Sequence, residues 1–168
     1  MKYDVLIVGA GVTGTLLFLA LKSKKLKVGL IDGRESPPNS YRHLSLNNKS
    51  KSFLEELDAW EKLSETSFAY NQIKVWDQEG SGFIDFNINE LDSKVSNIGH
   101  IVKEGDIQKI LLSRFLESKN LFWDCNLSST EHTNGKVICK TTKGIIETKI
   151  LVGADGTNSS VRNLSSIS

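Results

Sequence analysis

The apolar residues of this chain fall into short runs and periodic stretches that predict alternating strands and helices. Near the N-terminus the β-branched run YDVLIV is typical of a strand buried on both faces. The stretch TGTLLFLALKSKK predicts a helix with a basic C-terminal end, and KVGLID predicts a second buried strand. A strand, a helix and a strand within the first 32 residues predict a parallel βαβ unit with a right-handed crossover.

The rest of the chain keeps this mixture of strands and helices. GRESPPNSY is predicted to be a loop, because Pro37 and Pro38 oppose a helix. NNKSKSFLEELDAWEKL predicts one helix, whose apolar residues at helical spacing are interpreted as core: Phe53, Leu54, Leu57, Trp60 and Leu63. QIKVWDQEGSGFIDFNI predicts a hairpin, IGHIV a strand and EGDIQKILLSRFLES an amphipathic helix. Three more strands are predicted in NLFWDCNL, KVICKTT and GIIETKILVGAD, with turns at Asn134-Gly135 and Lys143-Gly144.

Composition and charge exclude several classes of function. The 168 residues are 39% hydrophobic and 24% charged with a net charge of +1, as in ordinary soluble proteins, so we expect no nucleic-acid partner. The two cysteines and three histidines lack metal-ligand spacing, so we expect reduced thiols and no metal site. Asp4 and three glycines interrupt the apolar N-terminus, which argues against a signal peptide and favours a cytoplasmic location.

The first strand is followed by a glycine-rich turn with the spacing G-x-G-x-x-G. Gly9 is expected to permit the turn, Gly11 to let a pyrophosphate approach the backbone, and Gly14 to bring the helix close to the strand. Asp32, at the end of the second strand, is placed to accept hydrogen bonds from an adenosine ribose and to disfavour a 2′-phosphate. FAD or NAD is therefore favoured over NADP, the alternative being turn glycines and a surface aspartate. The expected fold is α/β: a Rossmann-like FAD/NAD(P)-binding fold with a parallel central sheet and an antiparallel β insertion.

Four stretches occur in the same order as in a known family. They are DVLIVGAGVTG with GLID, YRHLSLNNKSKSFLEELDAWEKL, IGHIVKEGDIQKILL and LVGADGTNSSVR. Over essentially its whole length the chain resembles the flavin-dependent aromatic-ring hydroxylases, and most of all the branch that hydroxylates ubiquinone precursors. The first and last motifs are shared widely among flavin hydroxylases, whereas the middle two narrow the resemblance to this branch.

The resemblance implies roles for residues outside the glycine turn. Asp155 and Gly156, with Ser159 and Arg162 downstream, match a segment that lies near the flavin and is linked to NAD(P)H use. Arg42 matches an arginine beside the cofactor. The alternatives are an ordinary Asp-Gly turn and a solvated loop arginine. Lys103-Glu104 departs from the family pattern, and no contact is assigned there.

The resemblance also implies an activity. FAD would be the cofactor, NAD(P)H the reductant and a small aromatic molecule, in particular a prenylated phenol, the substrate, with no catalytic side chain assigned. Residues 1–168 would form an FAD-binding domain whose substrate-side β insertion starts at about residues 70–100. A later Gly-Asp flavin motif of the family has no match, so we expect the chain to be the N-terminal part of a hydroxylase and inactive by itself.

Other functions and locations stay open at this stage. A non-catalytic or truncated dinucleotide-binding module and an NAD-dependent dehydrogenase would carry the same glycine turn. Association with the periphery of the inner membrane or with a biosynthetic complex is an alternative to a purely cytoplasmic location. The basic segment KSKKLK is interpreted as a solvated helix end in preference to a membrane contact.

Overall fold

The computed structural model describes residues 1–37, 39–90, 95–115, 118–165 and 167. The chain divides into two compact units, one formed by residues 1–39 and 108–168 and the other by residues 40–107. The eleven described strands are β1 Lys2–Val8, β2 Val28–Ile31, β3 His43–Asn47, β4 Phe68–Tyr70, β5 Gln72–Trp76, β6 Phe83–Asn87, β7 Gly99–Lys103, β8 Leu121–Phe122, β9 Leu127–Thr133, β10 Lys136–Thr141 and β11 Gly144–Gly153. The described α-helices are α1 Val12–Ser23, α2 Asn48–Glu56, α3 Trp60–Ser64, α4 Glu104–Ser113 and α5 Ser160–Leu164.

The first unit is built on a six-stranded sheet with the order β8-β2-β1-β11-β10-β9. The strands β8, β2, β1 and β11 are parallel, and β10 and β9 continue the sheet in antiparallel fashion. The predicted α/β fold with a parallel-containing central sheet is therefore confirmed. The polar edge strand β9 was not predicted. NLFWDCNL contributes the two residues of β8 and Leu127, the first residue of β9, rather than one full strand.

The central strand β1 explains why its sequence is apolar at successive positions. Val5 and Ile7 pack into one hydrophobic cluster with Phe18 of α1, whereas Leu6 and Val8 pack into a second cluster on the other face. Successive strand residues point to opposite faces, so a strand covered on both sides must be apolar throughout. This burial fixes the ends of β1 and β2, where the glycine turn and Asp32 lie.

The second unit is antiparallel. It contains a sheet in the order β3-β7-β4 and a separate β5–β6 hairpin in which Gln72 pairs with Asn87 and Trp76 with Phe83. The predicted hairpin is confirmed. Antiparallel strands already begin at His43 rather than near residue 70, since the structure contains β3 and β4, which were not predicted. None of the helices that the structure describes is long and apolar enough to span a membrane.

The helix predicted over NNKSKSFLEELDAWEKL is wrong as a single element. Asp58 adopts a left-handed conformation with φ of 50° and ends α2, and α3 starts at Trp60. The N–H of Asp58 donates to the Glu55 carbonyl (2.9 Å) and that of Ala59 to the Leu54 carbonyl (2.8 Å), which is the Schellman arrangement. Leu54, Trp60 and Leu63 are buried as predicted, whereas Phe53 is 39% exposed. The amphipathic helix α4 ends at Ser113, and residues 116 and 117 of the predicted helix lie outside the described residues.

His100 of β7 gives the second unit a predicted pH dependence. Its ring is buried, edge-on to Trp60 with 4.8 Å between centroids, and among the described residues its Nδ1 has no hydrogen-bond partner. Burial and then Lys51 lower the pKa of His100 below its usual 6.5, while Glu55 raises it slightly. The unfolded chain binds the proton more tightly, so we expect the free energy of unfolding to fall as the pH decreases below about 6.5.

Denaturant unfolding measured between pH 5 and pH 8 tests this expectation. The variant His100→Gln should lose part of the decrease in stability on the acid side, because it has no imidazole to protonate. His132, exposed on β9, provides the control for the substitution itself, and His132→Gln should leave the free energy of unfolding at pH 8 unchanged. Identical profiles for His100→Gln and the parent would contradict the assignment.

Candidate cofactor site

A cleft of about 540 Å³ opens where β1, β2 and β11 of the first unit end. Five of the residues predicted from the sequence line this cleft: Gly9, Gly11, Asp32, Asp155 and Gly156. The carboxyl ends of parallel strands meet at one edge of the sheet, which is where open α/β sheets bind their ligands. Residues far apart in sequence are thus collected around one space.

The three glycines of the turn are required for different geometric reasons. Gly9 has φ of +105°, and a Cβ there would collide with the backbone of Ala154 and Asp155 at the end of β11. Gly14 lies in the first turns of α1, where a Cβ would overlap the carbonyl oxygen of Gly9. Gly11 has ordinary backbone angles, and no heavy atom of the described residues was found within 4 Å of the position its Cβ would take. Of these three glycines, Gly11 alone lines the cleft and also has open space where a Cβ would lie.

The N-terminus of α1 is suited to an anion. Gly11 is the N-cap and provides no side-chain hydrogen bond, and the first turn contains no acidic residue. The first N–H groups of a helix have no partner within the helix, and the helix dipole places partial positive charge there. A diphosphate is the group that such a bare helix start accommodates.

The glycine turn is stabilised by a hydrogen bond from a residue that was not predicted from the sequence. The side-chain amide of Gln108, buried in α4, donates to the carbonyl oxygen of Ala10 (2.6 Å), and the Thr15 hydroxyl approaches the same oxygen (3.4 Å). Gln108 lies on a helix whose pattern indicated only an amphipathic surface, so nothing in the sequence pointed to this contact.

Asp32 is buried at the end of β2, and its carboxylate accepts hydrogen bonds from Ala10 and Arg34. Its Oδ2 accepts hydrogen bonds from the Ala10 N–H and Arg34 Nη2 (both 2.7 Å), and its Oδ1 accepts them from the Arg34 N–H (2.9 Å) and Nε (2.8 Å). Burial by itself would raise the pKa of Asp32, but the bonds from Arg34 and Ala10 outweigh it and lower the pKa. Asp32 is therefore ionised at neutral pH.

The loop after β8 forms the wall of the cleft beside Asp32. The N–H of Cys125 donates to the Asp32 carbonyl (2.8 Å) and that of Asp124 to the Arg34 carbonyl (2.7 Å). Cys125, Asn126 and Arg34 line the cleft and were not predicted. Arg34 had a signal in the sequence, since it follows Asp32 by two residues in a loop at the end of a strand.

Asp155 lines the cleft, but its carboxylate is used to start α5. It accepts hydrogen bonds from the Ser159 hydroxyl (2.6 Å), the Ser160 N–H (2.6 Å) and hydroxyl (2.7 Å), and the Val161 N–H (3.3 Å). Burial would raise the pKa of Asp155, but these bonds outweigh it and lower the pKa. Ser159 is the N-cap of α5, and Arg162 donates to the Thr157 carbonyl. Ser159 and Arg162 therefore stabilise the end of this segment in the structure.

We expect Asp155→Ala to destabilise the first unit by about 1–2 kcal/mol, the usual cost of replacing a helix-capping side chain by alanine. The lowered pKa of Asp155 adds stability that is present above pH 3.8 and is lost as the pH falls through the lowered value. Urea unfolding at pH 7 and pH 3 checks both points, and the difference between variant and parent should shrink at the lower pH. An equal difference at both pH values would contradict the role of the charge.

Arg42 lies in the second unit, whereas the other predicted site residues lie in the first. Its Nε is 3.9 Å from Oε2 of Glu104, which also accepts a hydrogen bond from the Ser40 hydroxyl (2.6 Å). The Arg42 side chain is 75% exposed. Contact between Arg42 and a cofactor stays a prediction.

Comparisons with known proteins identify the cofactor. The family model described as FAD binding domain matches residues 2–168. The ubiquinone biosynthesis monooxygenase COQ6 of Dictyostelium discoideum is 27% identical, over 94% of this chain and 38% of that protein. The corresponding protein of Schizosaccharomyces pombe is also 27% identical, over 99% of this chain and 40% of that protein. The chain thus spans about two fifths of the length of these relatives.

Solved structures show the same fold at low sequence identity. The OxyS anhydrotetracycline hydroxylase from Streptomyces rimosus superposes with a TM-score of 0.81 at 21% identity, over 98% of this chain and 34% of that chain. The p-nitrophenol 4-monooxygenase PnpA from Pseudomonas putida gives a TM-score of 0.80 at 14% identity, over 98% and 44%. The bare helix start, the open space at Gly11 and the acidic strand end fit the ADP half of FAD. The chain belongs to the FAD binding domain family.

Proposed function

We propose that this chain is the FAD-binding part of a flavin-dependent monooxygenase that hydroxylates an aromatic ring, with a prenylated phenol of ubiquinone biosynthesis as the substrate. NAD(P)H would be the reductant. The similarity to the COQ6 monooxygenases over nearly the whole chain supports the reaction class. The observation that carries the proposal is the cleft in which Gly11, the start of α1 and Asp32 face one space.

The described residues supply binding and orientation. The N–H groups at the start of α1 would hold the diphosphate, and Asp32 with Arg34 would hold the adenosine ribose. FAD, when bound, supplies the redox chemistry and the activation of oxygen. Ala154, Asp155 and Gly156, which follow β11, would form the wall beside the flavin or the nicotinamide. A contact between Arg42 and the cofactor rests on the family resemblance alone.

Binding and reduction of flavin test this proposal. The purified protein should bind FAD with quenching of flavin fluorescence, and NADH or NADPH should bleach the flavin absorbance in the absence of oxygen. Selective binding of NAD without FAD would favour the dehydrogenase alternative. Binding of FAD without reduction by either nicotinamide would contradict use of NAD(P)H by this chain and favour the non-catalytic or truncated binding module.

Hydroxylation is tested separately with alkylated and prenylated phenols. A gain of one oxygen atom in the product, detected by mass spectrometry and dependent on NAD(P)H, would establish the reaction class. Release of peroxide without hydroxylated product is the result expected if flavin is bound in a site open to water. Oxidation of NAD(P)H that is indifferent to every phenol would count against an aromatic substrate.

A further inference from the structure

The ion pair of Asp32 and Arg34 determines what a ligand meets at the ribose end of the cleft. A carboxylate offers about four acceptor positions. Each oxygen of Asp32 already accepts two hydrogen bonds, three of the four coming from Arg34 and one from Ala10. The Asp32 side chain is 6% exposed and that of Arg34 43%, so the guanidinium is the more accessible partner. A ribose hydroxyl can therefore reach Asp32 only in competition with Arg34.

The pair also removes the charge on which selection against a phosphate would depend. An isolated Asp32 carboxylate would repel a 2′-phosphate, which is the usual basis for excluding NADP at such a site. The guanidinium remains protonated at all ordinary pH values, so the ion pair as a whole is neutral. A guanidinium at this place is also the group that accommodates a 2′-phosphate in dinucleotide-binding folds.

The backbone fixes Arg34 where this neutralisation is effective. The Arg34 N–H donates to Asp32 Oδ1, and the Arg34 carbonyl accepts from the Asp124 N–H (2.7 Å) in the loop after β8. The side chain then returns to the same carboxylate in a bidentate contact through Nε and Nη2. The backbone contacts and the side-chain contacts of Arg34 together therefore hold the guanidinium against Asp32.

We propose that Arg34 sets the specificity of the cleft at the 2′ position of the adenosine ribose. With Arg34 in place the cleft accepts a 2′-phosphate about as well as a 2′-hydroxyl, and without Arg34 the charge of Asp32 rejects the phosphate. This inference rests on the adenine-dinucleotide site proposed above. It revises the expectation drawn from Asp32 alone, that the site excludes a 2′-phosphate.

Calorimetric titration with ADP-ribose and with 2′-phospho-ADP-ribose isolates the 2′ position, because the two ligands differ only there. For the parent we expect dissociation constants within about threefold of each other, because the ion pair of Asp32 and Arg34 has no net charge. Arg34→Met should weaken binding of the 2′-phosphate ligand at least about tenfold relative to ADP-ribose, and Asp32→Asn should create a preference for the 2′-phosphate ligand. Lys143→Met, which removes one positive charge from the exposed β10–β11 turn, should keep the parent ratio.

The outcomes separate this inference from the proposed function. A parent that rejects the 2′-phosphate ligand tenfold or more, or an Arg34→Met variant with the parent ratio, would overturn the role of Arg34 while leaving the cofactor site in place. A parent that binds neither ADP-ribose nor FAD would overturn the site itself. If Arg34→Met does not fold, Arg34→Lys keeps the charge without the bidentate contact, and an intermediate ratio is then expected; the parent ratio in that variant would contradict the bidentate arrangement.

Discussion

Replacing Gly11 with valine is expected to abolish binding of FAD and of ADP while leaving the chain folded. No heavy atom of the described residues lies within 4 Å of the position that a Cβ would take at Gly11, and φ is −73°, which any residue adopts. The new side chain therefore meets no protein group and projects into the cleft at the start of α1. It would stand where a diphosphate must approach the N–H groups of the helix.

The size of the effect follows from what the side chain displaces. Losing the contacts between a diphosphate and a helix start should weaken binding by at least about 100-fold, or about 3 kcal/mol. The cost to stability should stay at or below about 1 kcal/mol, because only the N-cap preference of glycine over valine is lost. Titration of flavin fluorescence gives the first quantity and urea unfolding the second.

Gly82 provides a matched control for the same substitution. It lies in the turn of the β5–β6 hairpin, and the nearest atom to a Cβ there is Asp77 Cβ at 3.8 Å. Gly82→Val should keep parental affinity for FAD. If Gly11→Val bound FAD within threefold of the parent, the open space at Gly11 would have no part in cofactor binding.

The part of the fold that was predicted correctly is the part whose physical cause is local. A run of apolar residues is needed wherever a strand is covered on both faces, and β1 and β2 show this pattern. The turn at Asn134-Gly135 has φ values of 50° and 73°, which asparagine and glycine adopt more readily than other residues. In each case the side chains of the segment itself determine its conformation.

The elements that were missed depend on distant partners. The strand β9 reads LSSTEHT and is largely exposed, and it is a strand because β10 offers it a row of backbone hydrogen-bonding groups. The break between α2 and α3 falls at Asp58, a residue that tolerates the left-handed conformation but does not require it. Burial of Leu54 and Ala59 on either side of this turn favours the break, and the sequence of the segment alone does not show that burial.

The candidate site likewise has features that the sequence predicts and features that it does not. The positions of Gly9, Gly11 and Asp32 follow from one motif with fixed spacing, whereas the contacts of their side chains do not. Asp32 was interpreted as a carboxylate facing the ligand, and the structure pairs it with Arg34. Asp155 was assigned to the flavin side by resemblance, and its carboxylate caps α5. Spacing locates such groups, but only the folded chain shows which of their acceptor positions are already used.

Gly14→Ala is expected to produce the largest loss of stability among these substitutions. Within an ordinary exposed helix, alanine is more favourable than glycine by about 1 kcal/mol. At Gly14 the added methyl group would overlap the carbonyl oxygen of Gly9 and lie 3.3 Å from the Ala154 Cβ. Neither neighbour is a flexible side chain, so α1 would have to move away from the turn. That movement would uncover Phe18, which is fully buried against Phe115 and the sheet.

The measurement that checks this expectation is denaturant unfolding of Gly14→Ala beside Thr13→Ala, which changes the exposed neighbouring position of the same helix. Gly14→Ala should lose more than about 3 kcal/mol, the upper part of the range for overpacking, and Thr13→Ala should change stability by less than about 0.5 kcal/mol. Equal stability of Gly14→Ala and the parent would mean that α1 does not approach the turn closely. Gly11→Val should weaken FAD binding without lowering the free energy of unfolding substantially, because Gly11 faces the ligand. Gly14→Ala should lower the free energy of unfolding, because Gly14 packs against the protein.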